Sequence, residues 1–221
     1  MYIYLKFRDR IDAAEILAER LLDAFNNHKI NRQDSIILGI PRGGVVIADT
    51  IARRISSEFD IIIGRKLGAP ENKELAIGAV MEDGTSYINR YLVDALKIKQ
   101  EYIEKEKLEQ ENEIKRRKML YRKTNHYNIE KRVVTLVDDG IATGATIIAA
   151  ARWIRKQRPK LLVLAVPVAP SQTVDILRQE ADIIEVVFAP SNFNTVGEFY
   201  ANFSPVADEN VIEIMKNRNL L

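Results

Sequence analysis

Residues 133–146 read Val-Val-Thr-Leu-Val-Asp-Asp-Gly-Ile-Ala-Thr-Gly-Ala-Thr. The opening run does not alternate apolar with polar residues, so it describes a strand covered on both faces, as in a parallel sheet between helices. Small residues follow the two carboxylates, and an apolar helical pattern follows those. In open α/β sheets, ligands bind at the C-terminal ends of the strands. There Asp138 and Asp139 can accept hydrogen bonds from the two vicinal hydroxyls of a ribose. Ala142, Thr143, Gly144, Ala145 and Thr146 open the next helix. Its free N–H groups and positive dipole end suit a phosphate monoester. One unbroken segment thus reads as a binder of a 5-phosphorylated sugar.

The rest of the chain alternates in the same way. Residues 35–40 form a short apolar strand, 41–44 a tight turn and 45–55 a helix. A second strand is expected at 60–63 and a polar loop with Gly68 and Pro70 at 65–74. Segments 75–81 and 85–88 flank Asp83-Gly84, a hairpin signal. Further on come a strand at 161–168, a helix at 171–180 and a strand at 183–189. Residues 9–28 place Ile11, Ala14, Leu17, Ala18, Leu21, Leu22 and Phe25 on one helical face. The prediction is an α/β fold with a mostly parallel twisted sheet flanked by helices. The whole chain, 1–221, reads as a single domain.

Residues 92–123 are dense in Lys, Arg, Glu and Gln, lack Gly and Pro, and predict one long helical insertion. The preferred reading is a solvated helix. A lid, or a subunit contact in a homo-oligomer, is the sharper one. The tail from 190 carries Phe193, Phe199, Tyr200 and Phe203, then a short helix near 208–216.

Composition excludes several classes. The net charge of +2 does not mark a nucleic-acid binder. No apolar stretch is long enough to cross a bilayer, which speaks against a membrane partner. The N-terminal residues lack the apolar region of a signal peptide. Cysteine is absent, which excludes disulfides and thiolate chemistry and points to a reducing cytoplasm. His28 and His126 fall outside every motif and are assigned to the surface. No His/Cys spacing suits a metal, and there is neither a P-loop nor a Gly-x-Gly-x-x-Gly fingerprint.

A second loop, Gly39-Ile40-Pro41-Arg42-Gly43-Gly44, ends the first strand. Its glycines let the backbone approach a ligand closely, and Arg42 adds a cationic fork suited to phosphate oxygens.

The strand, acid pair and Thr/Gly-rich loop at 133–146 resemble the phosphoribosyl-diphosphate motif of the type I phosphoribosyltransferases. The resemblance extends to Phe7-Arg8-Asp9-Arg10, to 39–44, to 65–80 and to the tail 196–208. It implies a ribose site at Asp138 and Asp139 and a 5-phosphate site at 142–146. It also implies a pyrophosphate site at Arg42, Gly43 and Gly44. A flexible loop with Arg65 and Lys66 would close over the leaving group and act in catalysis. Mg²⁺ would be the cofactor, reached by Asp138 and Asp139 through ribose hydroxyls or water. The partners would be phosphoribosyl diphosphate and a nucleobase-like acceptor, under a small hood built from about 1–30 and 190–221. Where the 6-oxopurine enzymes carry an aspartate in the phosphate loop, this chain has Ala142, as adenine-type enzymes do. Those enzymes are usually shorter, and the acceptor stays open.

Two readings follow. One is a pentosyltransferase that joins the phosphoribosyl group to a nitrogenous base. The other is a non-catalytic regulator that senses phosphoribosyl diphosphate and binds a partner or nucleic acid through a basic patch, with 115–118 as the candidate. A valine at Gly144 is expected to harm phosphate binding more than folding.

Overall fold

The computed structural model describes residues 6–124 and 126–221. The chain runs α1 (Arg10–Asn27), β1 (Ser35–Gly39), α2 (Gly43–Ile55), β2 (Glu58–Ile61), β3 (Gly64–Gly68), β4 (Ala76–Met81) and β5 (Ser86–Ile88). Then come α3 (Arg90–Ala95), α4 (Gln100–Tyr121), β6 (Val133–Val137), α5 (Ala145–Lys156) and β7 (Leu161–Val168). The last elements are α6 (Ser171–Leu177), β8 (Ile183–Phe188) and α7 (Asp208–Asn217).

Five strands form a parallel sheet in the order β2-β1-β6-β7-β8. Each strand sends alternate side chains to opposite faces. In β6, Val133 and Val137 enter one apolar cluster and Val134 and Leu136 the other. In β7, Val163 and Ala165 join the first cluster, while Leu162, Leu164 and Val166 join the second. Helices α1 and α2 supply the first face and α5 the second, so both sides of the sheet are dry. This is why the strands read as unbroken apolar runs.

The chain leaves β1 toward β2 on one side, then returns to place β6 on the other. The order therefore reverses between β1 and β6, and the connections after them diverge. That divergence opens a crevice at the C-terminal ends of the two strands. The two glycine-bearing loops lie there.

Strands β3, β4 and β5 form a separate antiparallel sheet. The β4–β5 turn is the expected one, with Gly84 at φ 81° and the Asp83 carboxylate accepting from the Thr85 N–H at 2.8 Å. The segment expected as a loop at 65–74 is different. Arg65 and Lys66 belong to β3 and pair with Val80 and Ala79 of β4. The strand carries only one large apolar residue, so the sequence offered no period to detect. It is held from outside by α4. The Glu106 carboxylate accepts from the Gly68 N–H at 3.3 Å, and the Tyr102 hydroxyl donates to the Gly68 carbonyl at 2.8 Å.

The expected single helix at 92–123 is two helices. Asn89 caps α3 by accepting from the Leu92 N–H, and Lys97 adopts φ 52° after its end. A lysine fills the left-handed position that glycine usually marks, so the break left no trace in composition. Nor is α4 merely solvated: Ile103, Glu106, Ile114, Arg117 and Tyr121 are buried.

After α4, the Arg122 guanidinium donates to the Asp60 carboxylate at 2.6 Å in a buried pair and stacks 3.7 Å from the Tyr127 ring centroid. Tyr127 in turn meets Trp153 of α5 edge-on at 4.8 Å. Burial pushes the Asp60 carboxyl up to about 6, against the pull of Arg122. A raised value means that the folded chain holds the proton more tightly than the unfolded one. Stability from this group is therefore complete near pH 4 and declines as pH rises through about 6. Arg122→Met would leave a buried carboxylate without a counter-charge and should cost about 3–5 kcal/mol at pH 7.5. The loss should shrink at pH 5, where the acid is neutral. Urea unfolding at the two pH values checks both statements; an equal loss at both would reject the charge argument.

Candidate active site

The loop after β6 and the start of α5 build the first half of the site. Ile141 is anchored by its N–H to the Val168 carbonyl at 2.8 Å, and the Thr173 hydroxyl donates to the Ala142 carbonyl at 3.0 Å. Gly144 caps α5 with φ 79°, and no side chain caps the helix. Among the described residues, the N–H groups of Thr143, Gly144 and Thr146 have no acceptor. They are the orphan donors of a helix start, with the positive end of the helix dipole behind them.

A cleft of about 520 Å³ lies over this loop. Residues 140–147 line it together with Asp138, Lys66, Glu74 and the tail segment 194–196. Lys66 reaches it because adjacent residues of a strand face opposite ways. The Lys66 ammonium pairs with the Glu74 carboxylate at 2.5 Å, and the Glu74 side chain is 88% exposed. Such a pair is weak and readily exchanged.

The acid pair divides between two environments. Asp138 lines the cleft, and one of its oxygens accepts from the Asp139 N–H at 2.9 Å. Asp139 faces away, toward Arg10, whose Nε donates to it at 2.7 Å. Arg10 also donates to the Ser204 carbonyl at 2.8 Å and lies 3.9 Å from the Phe203 ring centroid. The Tyr200 hydroxyl donates to the Asp139 carbonyl at 2.6 Å. The segment before α1 is tied in by hydrogen bonds from the Phe7 N–H to Phe199 and from the Ala201 N–H to Phe7. Burial raises the Asp138 carboxyl well above its ordinary value, and the neighbouring Asp139 charge adds to this. Burial raises Asp139 as well, opposed by Arg10.

The turn after β1 and the first residues of α2 pack directly on these acids. A Cβ at Gly43 would fall 1.8 Å from an Asp139 oxygen, and one at Gly44 would fall 2.9 Å from Asp138 Cα. Only glycines let the two strand ends approach this closely. The Pro41–Arg42 peptide is cis.

Arg42 and Arg65 do not line the cleft; they lie on the side covered by α4 and α7. Arg42 donates to Asp208 at 3.3 Å, and Arg65 donates to Gln110 of α4 at 2.9 Å. Arg65 forms no ion pair among the described residues. Its guanidinium is lowered from the ordinary value by burial, with repulsion from Arg117 and Arg42 adding to the effect.

Of the expected site residues, Lys66, Asp138 and 142–146 share one cleft. Asp139 and Gly43 adjoin it from the β1 side, Arg42 meets Asp208 of α7, and Arg65 faces α4. No cluster of three metal-ligating side chains exists among the described residues. His28 and His126 are exposed, as expected. No described helix is long and apolar enough to cross a membrane. Sequence reasoning gave no place in the site to Asp208 or Tyr121, and named Arg10 only within the segment 7–10 and Arg116 only within the patch 115–118. Arg10 did carry a signal, since a cation in the first turn opposes the helix dipole. Asp208 carried none, because an acid there favours its helix.

Comparison with known proteins adds three findings. The family model for the phosphoribosyl transferase domain matches residues 8–197. The crystal structure of TT1426 from Thermus thermophilus is 38% identical, with a TM-score of 0.77, over 96% of this chain and 98% of its own. Two Mycobacterium tuberculosis proteins (strains CDC 1551 / Oshkosh and ATCC 25618 / H37Rv), each named "putative phosphoribosyl transferase", are 34% identical over 210 residues. That match covers 95% of this chain but 46% of each relative, so the chain spans about half the length of those curated relatives.

Two stability outcomes are expected. Folding favours the protonated acid pair, so stability falls as pH rises through its raised range. Asp138→Asn should therefore raise the melting temperature at pH 7.5, by at least ~2 °C if about 1 kcal/mol is relieved. The gain should vanish below pH ~4, where carboxylates are neutral in the unfolded chain too. A thermal shift independent of pH would contradict this. A side chain at Gly144 carries a folding cost of its own beside the expected, larger harm to phosphate binding. The φ of 79° and a Thr173 methyl 3.0 Å from the added Cβ make even Gly144→Ala destabilising. The cost should be about 1–2 kcal/mol by urea unfolding.

Proposed function

This chain belongs to the phosphoribosyl transferase domain family, and from that premise we propose that it transfers the 5-phosphoribosyl group of phosphoribosyl diphosphate to a nitrogenous base. The observation that carries this reading is one cleft holding the Asp138 carboxylate, the Lys66 ammonium and the unpaired N–H groups at the start of α5. These match three parts of one donor: ribose hydroxyls, leaving group and 5-phosphate.

In the reaction, the C1–O bond to diphosphate breaks and its electron pair leaves with the diphosphate. A lone pair of the base nitrogen forms the new C1–N bond, and the base releases its N–H proton to water. Asp138 accepts hydrogen bonds from the ribose hydroxyls in the cleft, and Asp139, held by Arg10, stands directly behind it. The helix start of α5 binds the 5-phosphate and fixes C1 relative to the base. Lys66 and Arg65 meet charge growing on the leaving group, and Arg42, Gly43 and Gly44 bind it. The Asp138 carboxylate, with Asp139 beside it, offers the oxygen donors that Mg²⁺ prefers; these residues would hold the ion through ribose hydroxyls or water, and it would supply charge neutralisation on the diphosphate. The chain ends, joined through Phe7, Tyr200 and Phe203, act as the hood over the base. The regulator alternative needs an open basic patch. Arg116 and Arg117 within 115–118 are instead tied to Glu113 and Asp208, so nothing favours it.

Calorimetry with phosphoribosyl diphosphate and Mg²⁺ tests the reading, followed by a base panel assayed for diphosphate release. The Asp138→Asn, Asp139→Asn double variant should abolish tight binding, since each charge-assisted bond contributes roughly 1.5–3 kcal/mol. Equal binding by parent and variant would refute the ribose assignment. With an active base in hand, Lys66→Ala should lower kcat more than it weakens donor binding, each tenfold being about 1.36 kcal/mol of transition-state stabilisation. An unchanged kcat would remove Lys66 from the chemistry.

A further inference from the structure

Asp208 opens α7, far from the acid pair in sequence, yet its carboxylate meets the leaving-group loop. One oxygen accepts from the Arg42 guanidinium at 3.3 Å and from the Tyr121 hydroxyl at 2.5 Å. The other accepts from the Arg116 guanidinium at 3.3 Å. Tyr121 and Arg116 are both on α4, so three donors from two elements converge on one carboxylate of a third. Arg117, one residue from Arg116, is buried and bonded to Glu113 at 2.8 Å, while Glu113 also binds Arg116. Arg65 stands beside them without an ion pair among the described residues, lowered by burial and by repulsion from Arg117 and Arg42. Four guanidinium groups thus lie near three carboxylates, Glu106, Glu113 and Asp208, and Glu106 is itself taken by Lys73, which leaves a local excess of positive charge. Three hydrogen bonds pull the Asp208 carboxyl below its ordinary value, the Tyr121 hydroxyl most, so it is an anion at neutral pH.

We propose that Asp208 occupies the position of a diphosphate oxygen, and that the incoming diphosphate displaces it and takes Arg42 and Arg116 as shared ligands. Helix α4 then contributes to the leaving-group site, an assignment that rests on Arg42 being a leaving-group residue. Planar guanidinium forks exchange one oxyanion for another without rebuilding the site. The Arg42 side chain is 40% exposed and the Asp208 side chain 22%, so the resident pair is accessible from solvent. The exchange also gives the short α7 a reason to begin with an acid aimed at α4.

Calorimetry with inorganic pyrophosphate and Mg²⁺ separates the outcomes. The parent should bind. Asp208→Asn should bind about two- to fivefold more tightly, the range that a partly exposed ion pair supports. Asp208→Ala should also bind more tightly, and Arg116→Ala should bind at least about tenfold more weakly, as loss of a hydrogen bond to a charged group implies. Far-ultraviolet circular dichroism of each variant checks that α7 remains folded. If the parent binds pyrophosphate while both Asp208 variants match it or bind more weakly, the displacement is wrong and the transferase reading stands. An Arg116→Ala variant that matches the parent removes α4 from the site. If the parent binds neither pyrophosphate nor phosphoribosyl diphosphate, both proposals fall.

Discussion

Asp139 stands where a carboxylate is costly. It follows a strand buried on both faces, adjoins a second carboxylate and is covered by the glycines of another loop. The Arg10 guanidinium makes the position tolerable, and it binds more than its partner. The same group holds the Ser204 carbonyl and covers the Phe203 ring, so one cation joins the start of α1, the end of β6 and the tail. A low-dielectric setting strengthens such a pair but punishes the loss of either member. The ligand end of the sheet is therefore one electrostatic unit, and the wall of aromatic residues near Tyr200 depends on it.

Three cations around the proposed donor site are each held by a carboxylate of the chain: Arg10 by Asp139, Arg42 by Asp208 and Lys66 by Glu74. The three pairs differ in how easily they part. Glu74 is almost fully exposed and constrains Lys66 little. Asp208 has three donors and a firmer hold. Asp139 is enclosed and acts as architecture. Affinity for an anionic ligand is then a difference between two sets of bonds, and much of its selectivity lies in which internal pair must open.

The parallel sheet was legible because burial on both faces leaves a direct mark: every residue from Val133 to Val137 is buried, and only Thr135 among them is polar. The two glycine loops were legible because close approach of strand ends excludes side chains, as Gly43 and Gly44 demonstrate. The remainder was hidden for physical reasons. Strand β3 is stabilised by Glu106 and Tyr102 of a distant helix, and no local pattern records such long-range bonds. The break before α4 relies on a lysine in a left-handed conformation. The split of Asp138 from Asp139 depends on Arg10, which is remote in sequence. The cluster at Asp208 joins segments whose charges look like ordinary helix surface.

Trp153 is the chain's sole tryptophan, and its indole meets Tyr127, which in turn carries the Arg122 guanidinium. The indole lies on the helix that opens at the phosphate loop, roughly 13 Å along the axis from its cap. Its fluorescence therefore reports on the joint between α5 and the chain that follows α4, and is blind to an anion arriving at the helix start. An emission change on adding such an anion would mean that the helix had shifted as a rigid rod, carrying a signal from the loop to the opposite end of the same face of the sheet.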